Sequence, residues 1–129
     1  MTSITSRLLS RLNHLSRLDL SQNEIENLHA QAFNGLKSLL YLRLDSNRLS
    51  KIAKGLLRPC EAIQTLVLSD NAITRLSAQL FANSASLSHL GLDKNLLEDL
   101  PHGLFANTSN LKVLDLSHNR LVRYKTNEY

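Results

Sequence analysis

Side chains that can carry charge or form hydrogen bonds recur along this chain of 129 residues at one interval. Arg17, Tyr41, Thr65, His89 and Val113 stand 24 residues apart, and so do Asp19, Arg43, Val67, Gly91 and Asp115. A third series holds Ser21, Asp45, Ser69, Asp93 and Ser117, and a fourth Gln22, Ser46, Asp70, Lys94 and His118. Tyrosine and arginine are enriched where proteins hold one another. A mixed set of this kind suits recognition of another macromolecule by ion pairs, stacking and hydrogen bonds. The same residues would also serve simply to solvate a surface that meets water.

Turnover chemistry fits less well. Asp93, Ser117 and His118 supply the residue types of nucleophilic catalysis, but no nucleophile elbow or glycine-rich phosphate loop accompanies them. The whole chain holds only 4 glycines, too few for such loops at several sites. His89 and His118 fall in columns five residues apart, which on adjacent strands separates them by about 16 Å. That distance is too great for one shared metal ion. Neither an enzyme nor a metal or cofactor is therefore expected. A further series, Asn23, Asn47, Asn71, Asn95 and Asn119, has a structural role instead. A carboxamide both donates and accepts, so it can satisfy backbone groups where the chain turns away from a strand.

The elements that position these residues follow from the same interval. LSRLDLSQNEI opens at Leu15, LLYLRLDSNRL at Leu39, IQTLVLSDNAI at Ile63, LSHLGLDKNLL at Leu87 and LKVLDLSHNRL at Leu111. Within each copy, leucines alternate with polar residues, as Leu18 and Leu20 do with Arg17 and Asp19. That period of two marks a strand with one buried face. Stacked copies make a parallel sheet with neighbouring strands about 4.8 Å apart, so residues of one column touch. Arg17 should then stack on Tyr41, and Asp19 should pair with Arg43.

Each copy also has a patterned return half. Leu28, Ile52, Leu76 and Leu100 form one apolar column, and Phe33, Leu57, Phe81 and Phe105 another. These columns predict a second core layer behind the sheet. Leu36, Cys60, Ser84 and Thr108 share the next column, so Cys60, the only cysteine, is expected to be a plain buried thiol.

One array of residues 1–129 results, with full repeats at 15–38, 39–62, 63–86 and 87–110 and a truncated one at 111–129. Residues 1–14 are either a partial repeat, with Ile4, Leu9 and Leu12 in the return columns, or a capping helix with Leu8, Leu12 and Leu15 on one face. Tyr124 and Tyr129 fall in the Leu100 and Phe105 columns, so the array is expected to stop in mid-repeat. Open ends expose core leucines and a strand edge, which makes self-association through them an expectation.

Composition narrows the partners. Hydrophobic residues make up 43% and charged ones 20%, a globular balance. The net charge of +4 comes from basic residues spread along the chain, without the basic stripe and interleaved aromatics of a nucleic-acid binder. No stretch approaches the roughly 18 consecutive apolar residues of a membrane span. Arg7 and Arg11 interrupt the place where a secretory leader would have its apolar core.

The pattern LxxLxLxxNxLxxLpxxxF at this period resembles the typical class of leucine-rich repeats. Its best local match, LPHGLFANTSNLKVLDLSHNRL from Leu100 to Leu121, is similar to repeats in the ectodomains of Toll-type receptors and related surface proteins. The resemblance implies an α/β solenoid, with a curved parallel sheet on its concave face and loops and short helical turns on its convex face. It implies a binding module, part of a longer extracellular or cell-surface protein, that engages a protein or glycoconjugate through the concave residues named above. Asn107-Thr108-Ser109, an N-glycosylation sequon on the convex side, agrees with that origin. If Met1 is the true start, the alternative is a cytoplasmic adaptor or regulatory subunit, which a free Cys60 would suit.

Overall fold

A computed structural model describes residues 1–122. Seven short strands occur among them: β1 (Ser3–Ile4), β2 (Arg17–Asp19), β3 (Asn27–Leu28), β4 (Tyr41–Arg43), β5 (Thr65–Val67), β6 (His89–Gly91) and β7 (Val113–Asp115). Five of them form one parallel sheet in the order β2-β4-β5-β6-β7. Its register follows the repeat, since Leu18 lies opposite Leu42, Leu42 opposite Leu66, Leu66 opposite Leu90 and Leu90 opposite Leu114. The hydrogen-bonded ladder continues past each strand. The Leu20 amide donates to Arg43 O at 2.9 Å, and Leu44 to Val67 O and Leu68 to Gly91 O, both at 2.8 Å.

The alternation sends each second strand residue inward. Leu42, Leu44, Leu66, Leu68, Leu90 and Leu92 are buried, and behind them lie Phe33, Leu36, Leu57, Cys60 and Phe81. Phe81 and Phe105 stack at 6.1 Å between centroids, with 12° between their planes. This makes a two-layered core one repeat wide and several repeats long. In the column that holds Cys60, Thr108 is buried with its hydroxyl donating to Phe105 O at 3.0 Å. The Ser84 hydroxyl is buried without a partner among the described residues.

The convex side consists of the expected loops and short turns. No helix occurs among the described residues. The return halves run through isolated turns closed by bonds three residues apart, as from the Leu56 amide to Ala53 O, Arg58 to Gly55 O and Cys60 to Leu57 O. A helix rises only about 1.5 Å per residue. It would not let so short a segment pass round the core and return to the sheet. Gly35 and Gly103, at φ 89° and 79°, also break helical continuity.

At the N-terminal end, β1 pairs in parallel with β3, placing Ile4 opposite Leu28. Ile4 and Leu9 are buried, whereas Leu8 and Leu12 are 53% and 44% exposed. No helix forms there: residues 6–11 make turns, Ile4 and Leu9 of the 24-residue columns are buried, and Leu12, which belongs to both patterns, is not. At the other end Leu114 points inward yet is 37% exposed, because no described strand lies beyond β7. The expectations placed on Tyr124 and Tyr129 fall outside the described residues.

Candidate functional site

Sheet residues that do not point inward form a surface in which column-mates touch. Its most ordered part spans β2 and β4. The Arg17 guanidinium lies over the Tyr41 ring, 4.2 Å from the centroid. Arg43 makes a two-pronged ion pair with Asp45, from Nε to Oδ1 at 2.9 Å and from Nη2 to Oδ2 at 2.7 Å. Its Nη1 faces Asp19 Oδ2 at 3.8 Å. The pairing across the strands is therefore the weaker of the two, and Asp45, two residues along, is the main partner. Asp45 is buried beside the sheet, and this contact fixes the arginine plane. Arg17, Asp19, Tyr41 and Arg43 together wall a shallow hollow of about 160 Å³.

Charge is stabilised locally on this face. The Ser21 hydroxyl and amide both donate to Asp19 Oδ1, at 2.6 and 2.9 Å, and hold its carboxyl below the ordinary range, with Arg43 and Arg17 adding to the effect. Asp115 repeats the device with Ser117, at 2.7 and 2.9 Å, and is lowered for the same reason. The Arg43 guanidinium is held more firmly charged by its bonds to Asp45.

The centre of the face is quieter. Thr65 and Val67 are half-buried and His89 is exposed, with its Nδ1 2.9 Å from the Ser88 hydroxyl. Gly91 leaves a gap beside Val67, and the Ser69 hydroxyl crosses it to donate to Asp93. A side chain at position 91 would collide with that hydroxyl, 2.9 Å from an ideal Cβ. His118 is exposed and lies at φ 56°, at the turn beyond β7. Because Ser117 is engaged by Asp115 and Asp93 by Ser69, the residues Asp93, Ser117 and His118 do not assemble into a nucleophilic relay. No group of three or more candidate metal ligands occurs among the described residues.

Beneath the turns, the asparagines bind one repeat to the next. Asn71 Nδ2 donates to Leu68 O in its own repeat at 3.0 Å and to Leu44 O in the preceding one at 3.1 Å. Its Oδ1 accepts the Leu49 amide at 3.0 Å. Asn47, Asn95 and Asn119 repeat this pattern. Asn23 bonds only within its own repeat, to Leu20 O and Ser21 O. The sheet face is thereby held by a rigid frame.

Comparison with known proteins decides the kinship. The family model described as leucine rich repeat matches residues 1–49, 41–97 and 85–128. The chain belongs to the leucine-rich-repeat family. Among solved structures, the leucine-rich-repeat domain of APL1 aligns over 97% of this chain and 33% of its own, at 26% identity and a TM-score of 0.92. The Drosophila Toll–Spatzle complex aligns over 99% of this chain and 17% of that one, at 30% identity and a TM-score of 0.93. The corresponding domain of APL1B shares the fold, at a TM-score of 0.85 and 23% identity over 92% of this chain and 35% of that one. The chain thus spans between 17% and 35% of the length of these structures. No characterised protein matches it significantly by sequence.

Within this leucine-rich-repeat array, the named site residues do not form one cluster. Arg17, Asp19, Tyr41 and Arg43 come together, Thr65, Val67, His89 and Asp93 lie along the middle, and Asp115 and His118 sit at the far edge. Comparing columns overlooked Asp45, the residue that holds Arg43. The signal was present along the strand, where residues i and i+2 share a face and carry opposite charge. Asn107 lies on the convex side, exposed, with Nδ2 donating to Ala82 O at 3.3 Å.

Proposed function

We propose that this leucine-rich-repeat array binds a protein partner through the exposed face of its sheet, with Tyr41 and Arg43 as the central contacts. The observation that carries the reading is Arg43, clamped by Asp45 beside the Arg17–Tyr41 stack. Side chains fixed before binding lose less freedom on association, so they suit anchors better than free ones. Kinship supports a protein partner, since the Toll structure is that of a complex with Spatzle. Thr65, Val67, His89 and Asp93 extend the contact surface toward Asp115 and His118.

A photo-crosslinking amino acid at Thr65 tests the reading. The chain is exposed to fluid and membrane proteins of its source tissue, and its adduct is compared between backgrounds. An adduct lost on Tyr41→Ala/Arg43→Ala but kept on Gln79→Ala, on the convex side, is the expected result. An adduct indifferent to the sheet-face pair would refute it.

The protein is further proposed to act outside the cell or at its surface. The exposed Asn107 within its sequon supports that location. The second reading, a cytosolic adaptor, draws support from Cys60, a free and buried thiol. The mass of the native protein before and after N-glycosidase treatment separates them. A decrease favours the surface protein, and an unchanged mass favours the adaptor.

A further inference from the structure

Along the chain the cations are spread out, but stacking of the repeats brings four of them together. Residues 49–62 and 73–86, the return halves of two adjacent repeats, carry Lys51, Lys54, Arg58 and Arg75 against one acid, Glu61. The equivalent segment before them, 25–38, balances Glu26 with Lys37, and the one after, 97–110, has Glu98 and Asp99 with no lysine or arginine. A positive band therefore lies across the convex side, bounded by neutral and acidic repeats.

All four cations are exposed. None takes part in the ion pairs among the described residues, which use Arg43 and Arg48. Lys51 and Arg75 share a column and flank one hollow. Lys54 and Arg58 wall a second cleft of about 320 Å³, opposite the carboxamides of Gln79 and Asn83. The turns beneath are fixed, by the Arg58 amide donating to Gly55 O at 3.2 Å and the Ala82 amide to Gln79 O at 3.2 Å.

From this juxtaposition we propose a second binding site, separate from the sheet face, for a sulfated linear polysaccharide. Unpaired cations would hold its sulfates, while Gln79 and Asn83 would exchange hydrogen bonds with its hydroxyls. A nucleic acid is a poorer fit, because the only aromatic residue in residues 49–86 is Phe81, which is buried and offers no base a stacking surface. An acidic peptide would match the cations but leave the carboxamides without a row of hydroxyls.

The full chain is titrated with heparin oligosaccharide by calorimetry over a range of salt concentrations. Hyaluronate, oligothymidylate and polyglutamate serve as carboxylate, phosphate and peptide comparisons. Heparin should bind most tightly of the four. Lys54→Gln/Arg58→Gln should weaken it by about tenfold and reduce the slope against log salt by about two released counterions. Lys112→Gln/Arg120→Gln removes the same charge elsewhere and should change affinity by less than about twofold. Unchanged melting of both variants certifies the comparison, since all four side chains are exposed. Equal weakening by the two variants would reduce the effect to net charge and overturn the site. Absent heparin binding, or equal binding of any comparison polyanion, would overturn the ligand class.

Discussion

Replacing Asn95 with alanine tests whether the repeats are joined by side-chain amides or by apolar contact alone. Asn95 is buried, and its Nδ2 donates to Leu68 O, Leu92 O and Asp93 O at 3.0, 3.1 and 3.2 Å. Its Oδ1 accepts the amide of Ile73, itself fully buried, at 3.1 Å. All three carbonyls would keep a second donor, Asn71 for Leu68 O, Asn119 for Leu92 O and the Asp70 amide for Asp93 O. The Ile73 amide would keep none among the described residues. One orphaned buried amide costs about 1–3 kcal/mol, and losing shares of three other bonds adds to it, so Asn95→Ala should destabilise by about 2–3 kcal/mol. Asn71→Ala, which orphans the buried Leu49 amide, should cost about 1–3 kcal/mol. Asn23→Ala removes bonds only within one repeat and leaves no amide without a partner. Its cost should stay under about 1 kcal/mol. Urea denaturation followed by circular dichroism at a common pH reads all three. Equal losses for Asn23 and Asn95, or a change below about 0.5 kcal/mol at Asn95, would refute the ladder as the cause of inter-repeat stability.

Three other perturbations probe separate parts of the structure. Gly35→Ala should lower the melting temperature more than Gly103→Ala, although both residues have positive φ. A Cβ at Gly35 would stand 2.8 Å from the Ser10 carbonyl oxygen, whereas at Gly103 it would meet nothing within 4 Å. Equal shifts would show that backbone conformation alone sets the cost. Burial pushes the Cys60 thiol up to about 12, so iodoacetamide at pH 8 should label it slowly in the folded chain and fully in urea. Rapid labelling of the folded chain would place it at the surface. Asp19 and Asp115 have lowered pKa values when folded, so their bonds to Ser21 and Ser117 favour the fold above the ordinary carboxylate range and lose effect as pH falls through the folded values. In carbon NMR titrations, Ser21→Ala and Ser117→Ala should each raise the matching carboxyl, and an unmoved titration would refute the hydrogen-bond origin.

What was legible in the sequence is what repeats every 24 residues. The register of Leu18, Leu42, Leu66, Leu90 and Leu114, and the inner columns of Phe33, Leu57 and Phe81, follow from spacing because stacking converts equal offsets into neighbours. Contacts that depend on relations within a repeat were harder to see. Arg43 turns to Asp45 on its own segment in preference to Asp19 one strand away, since two short bonds outweigh one longer approach. The band from Lys51 to Arg75 was hidden for a different reason: only Lys51 and Arg75 share a column, and Lys54 and Arg58 face Gln79 and Asn83 of the next repeat only once the chain is wound.

The least legible feature is the turn that follows every strand of the five-stranded sheet. Gln22, Ser46, Asp70, Lys94 and His118 all adopt φ between 55° and 58°. Such a backbone favours glycine and costs other residues about 1–2 kcal/mol, so local propensity argues against it five times. The ladder supplies the compensation. The amides of Gln22, Ser46 and Asp70 donate to Asp45 O, Ser69 O and Asp93 O, each at 3.0 Å, and Lys94 donates to Ser117 O at 2.9 Å. The left-handed residue also leads directly into the asparagine whose carboxamide closes the turn. A glycine there would relieve the strain but leave no side chain, as with Ser46, which donates to Asp70 at 3.0 Å and so links neighbouring turns. Strain spread over stacked turns persists because each of the first four is held by the next repeat. The same interlocking fixes the exposed sheet face, so that Tyr41 and Arg43 are presented by a frame rather than by a loop.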